Sequence, residues 1–462
     1  MLNTHTTVLP HKHQNNTYVA LRQGKVAPTT FYDVVTNKIY GTGAKYVNPL
    51  TKDDLVVFGD THGITKYLSQ GFEALNLFQS ENINANHHPT VVALGDHITD
   101  KHGIDAVYTN NPDGNHTLSG GNLHQLTQWL AHNPNQFHYL MGNHEFVGLL
   151  LLLTHAPIQK KDTTLAKLQQ ALNWPDLEKT TEVSQPFRGN HPSKGYASLI
   201  HSEGFQNESF LPPLKQDFLN LVNQTKLLFY HEPTKSIVSH NVLTKENLKR
   251  YLQAFGLAPV SVWERLKEVR HLGTNDITPT LRDKVGYVLN FPKQWSKLRF
   301  FRHPKKTIEQ INQHWGQFTN KLESQQGLSS DSLEKAQELR TLRLLTQASL
   351  DSKYFDSVLK QRPYITYQNY THSELPSNHY LRAKAWPWGS HPAVNAMIHG
   401  HTGHAHAWPL ARGSWWQALL KQEPKPLLKV GLNTPQASAQ AETLPVFPVA
   451  VIQTQPIQTT AS

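Results

Sequence analysis

Three short apolar runs, Leu55–Phe58, Val91–Leu94 and Phe137–Met141, each end in a glycine followed by a polar residue. The runs have strand length and are dominated by apolar residues. Between them the periodicity is that of helices. Ile64, Tyr67, Leu68, Leu75 and Phe78 share one face, as do Leu123, Leu126 and Leu130. Strands alternating with helices predict a βαβ organisation around a buried sheet.

Further strands are expected at Lys226–Tyr230, Ser236–Val238, Val394–Ile398, Leu427–Gly431 and Val446–Ile452, with a hairpin between Phe31 and Tyr40 around Asn37-Lys38. The stretch from Val238 to Val394 has helical character. Ile308, Ile311, Trp315, Phe318 and Leu322 step by three and four, the spacing of a packed seam. Gly327 to Ser330 breaks it, and Asp331 with Glu334 offers a capping-box-like start to a second helix carrying Leu333, Ala336, Leu339 and Leu342. The expected organisation is an N-terminal extension (1–50) and a catalytic domain (51–455) interrupted at about 242–390 by a mainly helical insertion. A flexible tail (456–462) follows.

The 462 residues include no cysteine, which excludes a disulfide framework, a thiolate metal site and a cysteine nucleophile. The formal charge of +10 steers anions such as phosphate esters toward the surface. The one dense basic cluster (Lys297, Arg299, Arg302, His303, Lys305, Lys306) is too small for a nucleic-acid module, so nucleic acid is not expected as a partner. The N-terminus shows no apolar signal segment. The longest apolar run, Phe146–Leu153, is far below the ~20 residues of a membrane span, so a soluble, cytoplasmic protein is expected. With 28 histidines, a single one says little; only arrangements carry weight.

Such arrangements stand at the strand ends: Gly59-Asp60-Thr61-His62-Gly63, Gly95-Asp96, Gly142-Asn143-His144-Glu145, Ser239-His240-Asn241 and His399-Gly400-His401-Thr402-Gly403-His404. In open α/β sheets ligands bind outside the carboxyl ends of strands, so these residues are expected to share one crevice. Their donors are oxygens and imidazoles, which suit Mn, Fe, Zn, Co or Mg. Residues i and i+2 leaving a strand point the same way, so Asp60 and His62 can hold one ion together.

In order and spacing these blocks resemble the calcineurin-like metallophosphoesterases, whose pattern is GDxHG, GD-x-x-D, GNHE, a lone His after a strand, and a turn containing GH. The resemblance runs from Asp60 to His404 and is nearest to the PPP-type phosphoprotein phosphatases. Three departures stand out. The second block reads Gly95-Asp96-His97-Ile98-Thr99-Asp100-Lys101, with its second Asp one residue late and Lys101 where an Arg would clamp phosphate. Asn241 replaces a Gly after the ligand histidine, and the interval from His240 to His401 is long and holds the helical hairpin.

The resemblance implies an α/β fold, a β-sandwich flanked by helices in αββα layers, with two divalent ions. Asp60 and His62 match ligands of the first ion, Asp96 would bridge both, and Asn143, His240 and His401 match ligands of the second. His404 is a further candidate ligand, since Gly400-His401 and Gly403-His404-Ala405-His406 each present a Gly-His pair. His144 would be the general acid and Asp100 its orienting partner. Lys101 and Arg188 are candidates for substrate phosphate.

The leading functional expectation is a phosphomonoesterase acting on phosphoproteins. The second is a small-molecule phosphoesterase: a nucleotidase, dinucleotide polyphosphate hydrolase or phosphodiesterase. A third, of another class, is a binding protein whose hairpin recruits a protein partner over a vestigial metal site. The cysteine-free chain and added hairpin also resemble phosphatases that bacteria deliver into host cells.

Overall fold

The computed structural model describes residues 17–22, 31–33, 38–40, 50–60, 68, 72, 77, 88–98, 122–154, 211–258, 303–350, 387–389, 391–401, 406–410, 427–432 and 447–452. In chain order its elements are β1 (Thr17–Arg22), β2 (Phe31–Asp33), β3 (Lys38–Tyr40), β4 (Leu55–Phe58), β5 (Thr90–Ala93), α1 (Asn122–His132), β6 (Phe137–Tyr139) and α2 (Asn143–Thr154). They continue with α3 (Leu211–Asn223), β7 (Leu228–His231), β8 (Ser236–Ser239), α4 (Lys245–Ala254), α5 (Pro304–Ser324), α6 (Ser332–Leu350), β9 (Ala396–His399), β10 (His406–Leu410), β11 (Leu427–Gly431) and β12 (Phe447–Ile452). The fold is mixed α/β.

β4, β5 and β6 run parallel, and α1 lies in the crossover that a parallel β5–β6 pair requires. β12 joins β4 antiparallel and β1 pairs with β12, giving the order β1-β12-β4-β5-β6. A second five-stranded sheet has the order β10-β11-β9-β8-β7, with β8, β9 and β11 parallel and antiparallel strands at both edges. β2 and β3 form the expected hairpin, with Phe31 opposite Tyr40. β1 lies within the stretch read as an extension, yet it forms an edge of the first sheet.

Period-two alternation divides each central strand between two apolar environments. Val56, Phe58, Val91 and Ala93 join a large cluster with Leu123 and Leu126 of α1 and the leucines of α2. Leu55, Val57, Val92 and Leu94 join a second cluster with Val238, Ala396 and Ile398 of the other sheet. At about 1.5–3 kcal/mol per fully buried apolar side chain, both faces contribute strongly. The apolar run predicted from sequence lies inside α2, which is buried from Asn143 to Leu153. No helix among the described residues is long and apolar enough to cross a membrane.

Both helices of the expected hairpin form, but they pack into this core rather than chiefly on each other: α5 lies on α3 and β7, and α6 on α4 and α2. Ile308, Ile311, Trp315 and Leu322 of α5 are buried in the large cluster, and Trp315 Nε1 donates to Thr225 Oγ1 at 3.0 Å. Asn312 accepts the Leu227 N–H at 3.0 Å and donates to the Leu228 carbonyl at 2.7 Å, which covers the open edge beside β7. Between the helices Gly327 sits at φ 149°, and Asp331 caps α6 by accepting the Glu334 N–H at 2.8 Å.

Several strand limits differ from expectation. β5 starts at Thr90 and ends at Ala93, although Leu94 still donates to the Phe58 carbonyl at 3.0 Å. β6 stops at Tyr139 because Leu140 pairs instead with Lys226, whose N–H bonds back to Tyr139, so β7 begins only at Leu228. β9 begins at Ala396 because Val394 donates into a turn at His391.

Candidate metal centre

Four turns at the carboxyl ends of β4, β5, β8 and β9 meet the N-terminus of α2. Asp60, just past β4, is fully buried, and its Oδ2 accepts the His401 N–H at 2.6 Å. This approach requires glycine at 400: a Cβ there would lie 2.2 Å from Asp60 Oδ1. Asp96, past β5, is held at φ 56° behind Gly95 at φ 97°. Its Oδ1 accepts the His144 N–H at 3.0 Å. A Cβ on Gly142 would meet that oxygen at 2.2 Å. His401 is also left-handed, at φ 61°. Non-glycine residues adopt this region rarely, and such strain collects at functional sites.

His240, the residue after β8, is fully buried and sits 2.7 Å through Nδ1 from the Leu94 carbonyl. A carbonyl only accepts, so Nδ1 carries the proton and Nε2 presents a lone pair. Nε2 lies 3.0 Å from Asn143 Oδ1 and 3.6 Å from Asp96 Oδ2. Burial lowers the His240 pKa to about 4, with Asp96 opposing and His401 adding to the shift, so the ring is neutral near pH 7. Electron pairs from an imidazole, an amide oxygen and a carboxylate thus face one another, an arrangement that a cation satisfies. The His401 ring centroid is 5.0 Å from that of His240. Asp96, His240 and His401 each offer a ligand atom within 4.8 Å of the others. Asp60 Oδ1 stands 3.9 Å from His240 Nδ1. These residues fit a divalent ion of the Mn, Fe, Zn or Co type.

The structure therefore brings Asp60, Asp96, Asn143, His144, His240 and His401 together. The His144 ring flanks the cluster, with Nε2 3.8 Å from Asp96 Oδ2. His62, Asp100, Lys101, Arg188 and His404 lie outside the described residues. The backbone of His406 opens β10 opposite Gly431.

Two residues were missed in the sequence reading. Glu145 is buried beside Asp96, and Tyr139 donates its phenol proton to Glu145 Oε1 at 2.7 Å. Burial, and then the Asp96 charge, raise the pKa of the Glu145 carboxyl, and the hydrogen bonds it accepts oppose that shift. The signal available was its place closing the Gly142-Asn143-His144-Glu145 block, as the one acidic residue ahead of the apolar run Phe146–Leu153.

No family model matches the chain, and no curated protein matches it. Among solved structures it is similar to a mutant of a cold-active protein tyrosine phosphatase, with 11% identity over 92% of this chain and 88% of that one, at a TM-score of 0.28. A second structure of a cold-active protein tyrosine phosphatase gives 12% identity over 92% and 86%, at 0.27. Likeness at these scores carries no argument about fold or activity.

Proposed function

We propose that the chain is a metal-dependent phosphomonoesterase of the calcineurin-like type, acting on phosphoproteins through two divalent ions. The observation that carries this reading is the convergence of Asp60, Asp96, Asn143, His240 and His401 from strand ends of both sheets. An αββα layering is part of the proposal, supported by the apolar cluster that the two sheets share.

Asp60, His62, Asp96, Asn143, His240 and His401 would hold the ions, with His404 a further candidate. Bound there, the ions would supply the charge that acidifies a water and polarises the phosphoryl oxygens. The chain's own groups do the rest. The Leu94 carbonyl keeps His240 in the tautomer whose Nε2 can act as a ligand. His144, tied through its backbone to Asp96, gives its proton to the departing alkoxide as the P–O ester bond breaks and water oxygen takes its place on phosphorus. Asp100 would orient His144, and Lys101 and Arg188 would steady the phosphate oxygens as charge develops.

The test is an assay of Mn-loaded protein against phosphoserine, phosphothreonine and phosphotyrosine peptides, para-nitrophenyl phosphate, bis-para-nitrophenyl phosphate and dinucleotide polyphosphates. Hydrolysis of the monoesters, with phosphopeptides preferred, supports the reading. Activity confined to the diester or the dinucleotides contradicts the phosphoprotein assignment, and inactivity on all contradicts the reading as a whole.

A further inference from the structure

The turn after β5 presents three successive backbone N–H groups, those of Asp96, His97 and Ile98, to one carboxylate. Glu145 Oε2 accepts from Asp96 at 2.8 Å and from Gly142 at 2.9 Å. Glu145 Oε1 accepts from the Tyr139 hydroxyl at 2.7 Å, from His97 at 3.2 Å and from Ile98 at 3.4 Å. A run of backbone N–H groups curled in this way is an anion-binding concavity, and here the anion belongs to the chain itself.

Glu145 and Tyr139 are both fully buried, so no water substitutes cheaply for any of these bonds. Each partner donates, which is the pattern a carboxylate satisfies and an amide does not. A return bond runs the other way, from the His144 N–H to Asp96 Oδ1 at 3.0 Å. The turn bearing Asp96 and the helix start bearing Asn143 and His144 are thereby locked in both directions.

We propose that Glu145, braced by the Tyr139 hydroxyl, is a positioning residue. It holds the Asp96 turn in its left-handed conformation, and so sets where Asp96 Oδ2 stands relative to His240 and His401. The inference rests on the metal reading given above. Glu145 itself touches neither metal nor substrate in this account. It acts as a partner behind the ligands, and losing such a partner typically weakens metal binding about 10–100-fold.

The experiment compares EDTA-stripped wild-type protein with Glu145→Gln and Tyr139→Phe, all as the full chain. Mn(II) affinity is read by calorimetry, the Mn(II) site by its paramagnetic resonance spectrum, and the fold by thermal melting of the stripped proteins. In Glu145→Gln an amide NH₂ faces backbone N–H groups, so affinity should fall about 10–100-fold with a changed spectrum. Tyr139→Phe removes only the hydroxyl and should shift both readouts in the same direction by less. Variants that melt lower but keep wild-type affinity and spectrum would show that Glu145 is merely structural, and overturn the inference. Should Glu145→Gln fail to fold, Tyr139→Phe carries the same comparison. Wild-type protein that takes up no Mn(II) overturns the metal reading and this inference with it, an outcome distinct from unaltered binding in the variants.

Discussion

His240 Nε2 lies 3.0 Å from Asn143 Oδ1, although the two residues stand 97 positions apart and follow strands of different sheets. Neither nitrogen nor oxygen brings a proton to that contact once His240 Nδ1 has committed its own to Leu94. The pair makes chemical sense with a cation between its lone pairs, and Asp96 supplies the negative charge beside it.

That charge can be removed at almost no cost in shape. Asp96→Asn keeps a residue that tolerates the left-handed backbone at this position. Bound metal, measured by elemental analysis after gel filtration, should fall well below wild type while the protein melts cooperatively. Full occupancy with full activity would contradict the role given to Asp96 between two ions.

His144 should behave differently from the ligands. General acid catalysis contributes typically 10²–10⁴-fold, and least where the leaving anion is already stable. His144→Asn should keep its metal yet lose far more kcat/KM on a phosphoserine peptide than on para-nitrophenyl phosphate. His240→Asn should lose metal, and with it both activities. Equal losses on the two substrates for His144→Asn would remove His144 from the role of acid.

Gly400 tests whether close approach, rather than flexibility, is what the turn after β9 needs. A methyl group there would lie 2.2 Å from Asp60 Oδ1, so Gly400→Ala must push Asp60 and His401 apart. We expect a loss of about 1–3 kcal/mol in stability, the usual range for overpacking, together with weaker metal binding. Denaturant unfolding and Mn(II) titration check this. An alanine variant equal to wild type in both would mean that the two turns do not meet as described.

Acid stability offers a check away from the centre. The His138 ring lies tilted against Phe229, centroids 4.6 Å apart, with the Lys226 ammonium 3.3 Å from its Nδ1, and burial, then Lys226, lower its pKa to about 3. Burial also lowers His231 to about 4, with Asp53 opposing. Folded values below the unfolded 6.5 mean that the unfolded chain binds more protons between these limits. Stability is therefore full above about pH 6.5 and lost as pH falls, by ~1.4 kcal/mol per unit for each histidine. Melting of EDTA-stripped protein should show this acid limb, and His138→Phe or His231→Phe should each flatten it by about one proton. An unchanged slope in both variants would contradict the assignment.

The strand ends that carry Asp60, Asp96, Asn143, His240 and His401 could be read from sequence because each is announced locally, by an apolar run stopped at a polar turn. The helices α5 and α6 could be read for the same reason: a three-four seam, a glycine break and the Asp331 cap lie within a few turns of one another. What escaped depends on distant partners. β1, the short run Tyr18-Val19-Ala20-Leu21 with one polar residue at each end, joins a sheet only through β12, near the other end of the chain. The part played by Glu145 depends on N–H groups 47–49 positions upstream, which no local pattern places beside it.

Titration of EDTA-stripped protein with Mn(II), following both bound metal and hydrolysis of para-nitrophenyl phosphate, decides whether the chain is a two-metal phosphatase. Turnover should be absent at the start, rise with uptake and level off near two ions per chain. Hydrolysis by the stripped protein at the loaded rate, or two bound ions without any turnover, would contradict that reading.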